Sequence, residues 1–462
     1  MSPHQHEIFM RAFHWAFKGD KMRLKNNFIN RHFQKIFNIR QMRTFYIIIF
    51  LWTPFIWGQR LNERRLTRQV EKIAVFQQAF VGLAVAPIEG GPLVGLEADH
   101  YMTPASNTKL LTFLGALKTF DSLPALDYAV ENDSIFHFRS TGYPLLFHPF
   151  YPDSLLGDFF RSPKRLNYHP WKKSPEPLGP GWSWDDYSYY YAAERSPFPI
   201  YGNAVQAVLE EGGLTMSPAF PSEATNTDLG LKRARLTNRF FYNPSQWKVG
   251  DTLFRPFKTS DTLFVRLLGQ ASKGDVLLDS TDRPDLVWKP FFTNQEERLY
   301  KGLLQDSDNG IAESLMLMIA KAQGKGFAAE SAIDSLTSSW RPWLPDPIEW
   351  VDGSGVSRYN MITPKTLVAV LQQIYFTAGW EKIQAFFPQS GTSGTLKSYA
   401  NLKGVYAKTG TLRHNHNLSG YWESEKGNRY AFSIMVNHFT SPTSEIREGI
   451  TTLLQWLQQN LK

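Results

Sequence analysis

Three short motifs stand in one order along the 462 residues: Ser106-Asn107-Thr108-Lys109, then Ser307-Asp308-Asn309, then Lys408-Thr409-Gly410. A fold that uses all three must bring the start of a helix, a turn and a strand from distant parts of the chain to one place. Their residue types are those of an active-serine acyl-transfer site: a nucleophile with its lysine, a proton shuttle and a carboxylate-binding strand.

A serine hydroxyl is a poor nucleophile near neutral pH unless a base takes its proton. Ser106 heads a stretch in which Leu110, Leu111, Leu114 and Leu117 recur at helical spacing. Lys109 therefore falls on the same helical face, within reach of the hydroxyl. A lysine can act as that base only with a lowered pKa, through desolvation or a nearby positive charge such as Lys408. The helix start adds a positive dipole end where negative charge develops. A second Ser-x-x-Lys, Ser245 to Lys248, opens no comparable apolar helix and is set aside.

Ser307-Asp308-Asn309 precedes an apolar face of Ile311, Leu315, Met318 and Ile319. Alone it reads as an N-cap turn. In the catalytic reading Ser307 relays a proton between a lysine and the leaving group, while Asn309 binds the acyl-side amide of the substrate. Lys408-Thr409-Gly410-Thr411 reads as a strand end. There Gly410 permits close approach to the nucleophile, and Lys408 with the hydroxyls of Thr409 and Thr411 binds a carboxylate. The backbone N–H groups of Ser106 and Thr411 would form an oxyanion hole. The expected catalytic residues are thus Ser106, Lys109, Ser307 and Lys408, and the substrate-binding ones Asn309, Thr409, Gly410 and Thr411. No metal is expected: His414 and His416 have no acidic or third histidine partner nearby in the sequence and read as loop residues.

The chain has no cysteine, which excludes disulfides, thiolate metal sites and cysteine nucleophiles. Its formal charge of +8 raises the question of nucleic acid or an acidic membrane surface. Residues 1–58 hold Arg11, Lys18, Lys21, Arg23, Lys25, Arg31, Lys35, Arg40 and Arg43 against only Glu7 and Asp20, so the remainder is nearly neutral. Nucleic-acid binding loses its main support. The basic leader runs into an apolar stretch at residues 45–57, followed by Gly58. That length fits the core of an export signal, whereas a spanning helix needs about 20 apolar residues. The expected location is the periplasm or cell envelope, and an uncleaved leader would leave the chain in peripheral association with a membrane. Residues 1–41 are superfluous to such a signal, and Met42 fits as its start.

The length accommodates two or three domains with their own cores. Residues 59–73 read as helix, and residues 79–87 and 93–96 as strands paired about Glu89-Gly90-Gly91. From about 126 to 300 the chain is rich in Pro, Trp and Tyr, with short strand-like pieces at 263–268 and 276–278. Within it, the aromatic run at 181–191 reads either as a sugar-stacking surface or as packing of a β-rich insert. Helices are expected over 311–322, from Thr363-Pro364, and over 445–461. A hairpin of 418–422 with 430–436 places Lys408-Thr409-Gly410 on the adjoining strand. The expected organisation is a leader (1–58), a body in two parts (59–125 and 301–462) and an insert of one or two domains (126–300).

These motifs resemble the D-alanyl-D-alanine carboxypeptidase/endopeptidase family of low-molecular-mass class C penicillin-binding proteins. The likeness extends through Met102-Thr103-Pro104-Ala105 into Ser106 and Lys109, and through Ala312-Glu313 after Asn309. It continues in Asp352-Gly353-Ser354-Gly355-Val356-Ser357-Arg358-Tyr359-Asn360, in Gly394-Thr395-Leu396, and from Ala407 to Leu412. It implies a penicilloyl-serine transferase (β-lactamase/transpeptidase-like) fold, an α/β (α+β) domain split by a β-rich insert of one or two small domains. It also implies a serine-type D-Ala-D-Ala carboxypeptidase or endopeptidase acting on peptidoglycan stem peptides through an acyl-serine. Such an enzyme is acylated by β-lactam antibiotics and needs no cofactor. A β-lactamase or esterase of the same fold, or a non-catalytic cell-wall binding protein, remains the alternative. The Asp352 segment reads as support beneath the site, with Ser357 not the nucleophile. Arg413-His414-Asn415-His416-Asn417 is bulkier and more polar than the small residues expected beside the oxyanion hole.

Overall fold

The structure is a computed structural model, and it describes residues 62–161, 165–226 and 230–461. The basic leader and its apolar stretch lie outside the described residues.

A five-stranded antiparallel sheet runs in the order Val405–Leu412, Asn415–Glu423, Arg429–Asn437, Phe80–Pro87, Val94–Leu96. The N-terminal hairpin is thereby zipped onto the C-terminal one, with Phe80 opposite Asn437 and Pro87 opposite Tyr430. Side chains alternate across a strand, so each strand feeds two cores. Leu83, Val85, Phe432 and Ile434 face the helices Glu63–Glu71 and Thr443–Asn460, packing on Leu66, Val70, Ile450 and Leu454. Ala84, Ala86, Ala431 and Met435 face the other way, into a larger core with Leu110, Leu315 and Leu371 from three further helices. Those helices are Lys109–Thr119, Asn309–Ala322 and Pro364–Ala378. Being covered on both faces, the strands read as apolar runs and not as alternating ones.

Among the described residues, those between the first two motifs form three further sheets. The largest has the order Val276–Leu278, Arg165–Tyr168, Ile135–Ser140, Pro124–Glu131, Lys289–Phe292, its first three strands parallel. Two three-stranded sheets follow: Thr252–Pro256, Ala204–Glu210, Gly213–Ser217, and Ser222–Ala224, Phe240–Tyr242, Leu231–Arg233. Residues 263–268, expected as strand, lie instead in the helix Asp261–Ser272. The hydroxyl of Ser260 caps it by accepting from the Leu263 N–H at 3.1 Å, and Phe264, Leu267 and Leu268 are its buried face. The i, i+3, i+4 spacing and the serine cap outweigh the short Leu/Val run that had pointed to a strand.

Candidate active site

The first motif opens as a 3-10 turn, Ala105–Thr108, that passes directly into the helix Lys109–Thr119. Ala105 sits at φ 51, a left-handed conformation that a non-glycine residue adopts only when its surroundings fix it. Those surroundings are polar. The Asn107 amide donates to Ser419 Oγ at 2.7 Å, and the Asn417 amide donates to the carbonyls of Thr103 and Pro104, both at 2.9 Å. Asn437 Oδ1 accepts from the Thr103 N–H at 2.8 Å. The nucleophile turn is thus pinned to the central strands of the sheet. On its other side Gly355, at φ +81, packs so closely that an added Cβ would lie 1.9 Å from the Ala105 carbonyl oxygen. No other residue fits there.

The turn leaves Ser106 partly exposed and buries Lys109 completely. The lysine donates to Ser106 Oγ at 3.1 Å, to Asn309 Oδ1 at 2.6 Å and to the Ser354 carbonyl at 2.7 Å. Burial draws its pKa down to about 8, against the opposing pull of Asp352, Asp308 and Glu313. Lys408 is also fully buried. It donates to Ser307 Oγ at 2.8 Å and to the Thr409 carbonyl at 2.7 Å. Burial first, then the charge of Lys109, pulls its pKa well below that of a free lysine. Two serine–lysine pairs therefore face one site, and Asn309 links the second motif to the first.

Ser307 stands at φ 60, the second left-handed non-glycine residue of the site, and Asp308 caps the helix Asn309–Ala322 by accepting from the Ile311 N–H at 2.9 Å. The N-cap role and the site role of this motif coexist. Gly410 faces the nucleophile turn, where an added Cβ would lie 2.4 Å from the Pro104 carbonyl oxygen. The Thr409 hydroxyl bonds to Thr395 at 2.9 Å and is buried, whereas Thr411 is exposed with its hydroxyl 2.7 Å from His416 Nδ1. All eight expected residues converge. The set-aside pair does not: Ser245 bonds to Asn243 Oδ1 at 2.6 Å, in a surface turn on which Lys248 is exposed.

Further residues hold the site, among them the Asp352 segment expected as support beneath it. Asp352 is a buried hub, accepting from Gly355 N–H, Asn360 and Ser357 N–H, and from the Trp182 indole at 2.8 Å. Glu313 takes the Ser354 N–H at 2.8 Å and pairs with buried Arg195 at 2.7 Å. Tyr190 donates to Asp308 Oδ2 and the Tyr191 carbonyl accepts from the Asn309 amide, each at 2.7 Å. The aromatic run thus buttresses the second motif, while its Tyr189 and Tyr191 rings stack on one another at the surface. His416 is buried, bonds through its second ring nitrogen to the Tyr399 hydroxyl at 2.7 Å, and has its pKa lowered to about 4 by burial. The segment that departs from the small residues expected beside the oxyanion hole therefore anchors the nucleophile turn through Asn417 and orients Thr411 through His416. A histidine directly before Asn417-Leu418-Ser419 on an apolar strand was the only sequence signal for it.

The D-Ala-D-Ala carboxypeptidase 3 (S13) family matches residues 269–459. The D-alanyl-D-alanine carboxypeptidase DacB of Haemophilus influenzae is 28% identical over 207 residues, 43% of this chain and 43% of the relative. The penicillin-sensitive carboxypeptidase A of Dictyostelium discoideum is 34% identical over 115 residues, 22% of each chain. The alignments thus span less than half the length of these relatives. Among solved structures, penicillin-binding protein 4 of H. influenzae superposes with a TM-score of 0.68 at 20% identity, covering 86% of this chain and all of that one. Its complex with a β-lactam gives 0.64 at 19% identity. The shared fold is that of the penicilloyl-serine transferases, a mixed α/β body with additional β sheets.

Proposed function

We propose that this chain belongs to the D-Ala-D-Ala carboxypeptidase 3 (S13) family, whose model matches residues 269–459, and is a serine-type D-Ala-D-Ala carboxypeptidase or endopeptidase of peptidoglycan stem peptides. The observation that carries this is the pair of buried lysines, each bonded to a serine: Lys109 to Ser106 at 3.1 Å and Lys408 to Ser307 at 2.8 Å. Ser106 Oγ attacks the carbonyl between the two D-Ala residues as Lys109 takes its proton. The N–H groups of Ser106 and Thr411 hold the oxyanion. Collapse of the tetrahedral intermediate breaks the C–N bond, and the leaving amine receives a proton through Ser307 and Lys408. Water then attacks the acyl-serine, releasing the shortened peptide and restoring the Ser106 hydroxyl. Asn309 binds the acyl-side amide, while Thr411, with Thr409 behind it, binds the terminal carboxylate. None of these steps requires a metal or an organic cofactor.

Penicillins, whose strained amide mimics that bond, would acylate Ser106. We place the protein in the periplasm or cell envelope, on the strength of the basic leader and the apolar stretch at 45–57. We also divide the body into residues 59–125 and 301–462, around an insert at 126–300.

Intact mass after incubation with benzylpenicillin tests the assignment. A stable adduct present in wild type and Ser245→Ala but absent from Ser106→Ala is expected. Rapid penicillin hydrolysis without an adduct would make the protein a β-lactamase or esterase instead. Neither adduct nor hydrolysis would leave a non-catalytic cell-wall binder.

A further inference from the structure

We propose that His137, His169 and Asp279 form a binding site for one divalent transition-metal ion of the zinc class, built on the largest sheet between the first two motifs. His137 lies in the strand Ile135–Ser140, His169 directly follows Arg165–Tyr168, and Asp279 directly follows Val276–Leu278. These three strands are neighbours and parallel. The ladder continues past their ends, His169 N–H donating to the Phe138 carbonyl and Asp279 N–H to the Tyr168 carbonyl, both at 2.8 Å. Register and alternation therefore place all three side chains on one face of adjacent strands, His137 opposite Asn167, with His169 and Asp279 one step beyond Tyr168 and Leu278. Their ligand atoms lie within 4.8 Å of one another.

Each donor is already aimed. His137 is fully buried, and its Nε2 lies 3.2 Å from Glu131 Oε2. A carboxylate only accepts, so that nitrogen carries the proton and Nδ1 of the neutral ring presents its lone pair. Nδ1 faces His169 Nε2 at 2.8 Å, and the same His169 atom lies 3.6 Å from Asp279 Oδ2. The other oxygen of Asp279 is taken by Thr281, through its N–H at 3.0 Å and its hydroxyl at 2.5 Å, which leaves Oδ2 turned to the rings. Glu131 is itself held by Arg283 at 2.7 Å. Outer-shell carboxylates and hydroxyls of this kind fix the tautomer and direction of metal-binding histidines.

Spacing agrees with the chemistry. Bonds of about 2.0–2.1 Å in a tetrahedron set ligand atoms about 3.3 Å apart, and the observed 2.8 and 3.6 Å bracket that value. Two imidazoles and one carboxylate suit zinc, cobalt, nickel or copper and not calcium or magnesium. His169 also lines a cavity of about 550 Å³ with Trp171, Trp288, Lys172 and Asp282, which leaves a fourth position open to water. His414 and His416, the pair weighed from the sequence, are occupied by Phe439 O and by Thr411 with Tyr399.

The test is zinc titration of the chelator-treated full chain, with bound metal counted by elemental analysis and cobalt as a spectroscopic probe of tetrahedral geometry. Wild type should bind one zinc ion more per chain than Asp279→Asn or His169→Gln, or hold it at least about tenfold tighter. Exposed His100, beside Glu97 and Asp99, serves as control: His100→Ala should keep that difference. If His169→Gln misfolds, Asp279→Asn at the strand end decides. Equal zinc binding in wild type and folded Asp279→Asn, or none in wild type, would overturn the site and leave the histidine pair a hydrogen-bond relay to Glu131.

Discussion

Replacing Gly410 by alanine adds one methyl group at the seam between the Lys408 strand and the Ser106 turn. Its Cβ would lie 2.4 Å from the Pro104 carbonyl oxygen and 2.9 Å from the Asn107 nitrogen. A carbon–oxygen contact settles at about 3.3 Å, so the two elements must part by about 0.9 Å. Neither side is soft. The Pro104 oxygen is held by Asn417 and by the Asn107 N–H, and the strand is paired along its length with Asn415–Glu423. The shift therefore reaches Thr409 and Thr411, which flank Gly410, and Lys408 one residue further on, and moves them relative to Ser106. A misplacement of about 1 Å costs about 100-fold in rate, or about 2.7 kcal/mol of barrier. Overpacking adds about 1–3 kcal/mol of destabilisation. The assay is the second-order rate of acylation by a fluorescent penicillin, with thermal unfolding followed on the same samples. A folded Gly410→Ala that acylates within about threefold of wild type would refute the idea that this contact sets the alignment of the site.

With the Lys109 pKa drawn down to about 8, the neutral form that accepts a proton grows as pH rises. Acylation should increase about tenfold per pH unit below pH 8 and level off above it. A flat profile from pH 6 to 9, or full activity in Lys109→Arg, would exclude Lys109 as the base. His416 is held neutral, with a pKa of about 4 when folded against about 6.5 when unfolded. Between those values the unfolded chain binds the extra proton, so stability falls as pH drops through this window, by up to about 3 kcal/mol. His416→Gln should flatten that fall in urea unfolding at several pH values, and an unchanged pH dependence would refute it. The same variant should weaken carboxylate-bearing substrates by raising KM, because Thr411 loses its partner.

The motifs and the elements that carry them were legible because each has a local signature. Leucines at 110, 111, 114 and 117 announce the helix behind Ser106, and Thr363-Pro364 announces another, which the structure shows capped by the Thr363 hydroxyl. What holds the motifs in register was not legible, because those partners are distant in the chain and ordinary in type. Tyr190 and Tyr191 reach Asp308 and Asn309 across 118 positions. Trp182 reaches Asp352 across 170. One aromatic run could not be divided from sequence into rings that buttress the site and rings left at the surface, since both share one composition. The polar residues after Leu412 illustrate the limit most directly. Read against an expectation of small side chains, Asn417 looked like a departure, yet its amide binds the Thr103 and Pro104 carbonyls while its oxygen accepts from Asn437 at 3.0 Å. A buried amide satisfied on both ends is a rigid spacer, and here it ties a left-handed Ala105 turn to two central strands. The geometry of Ser106 therefore depends on residues far from its own motif.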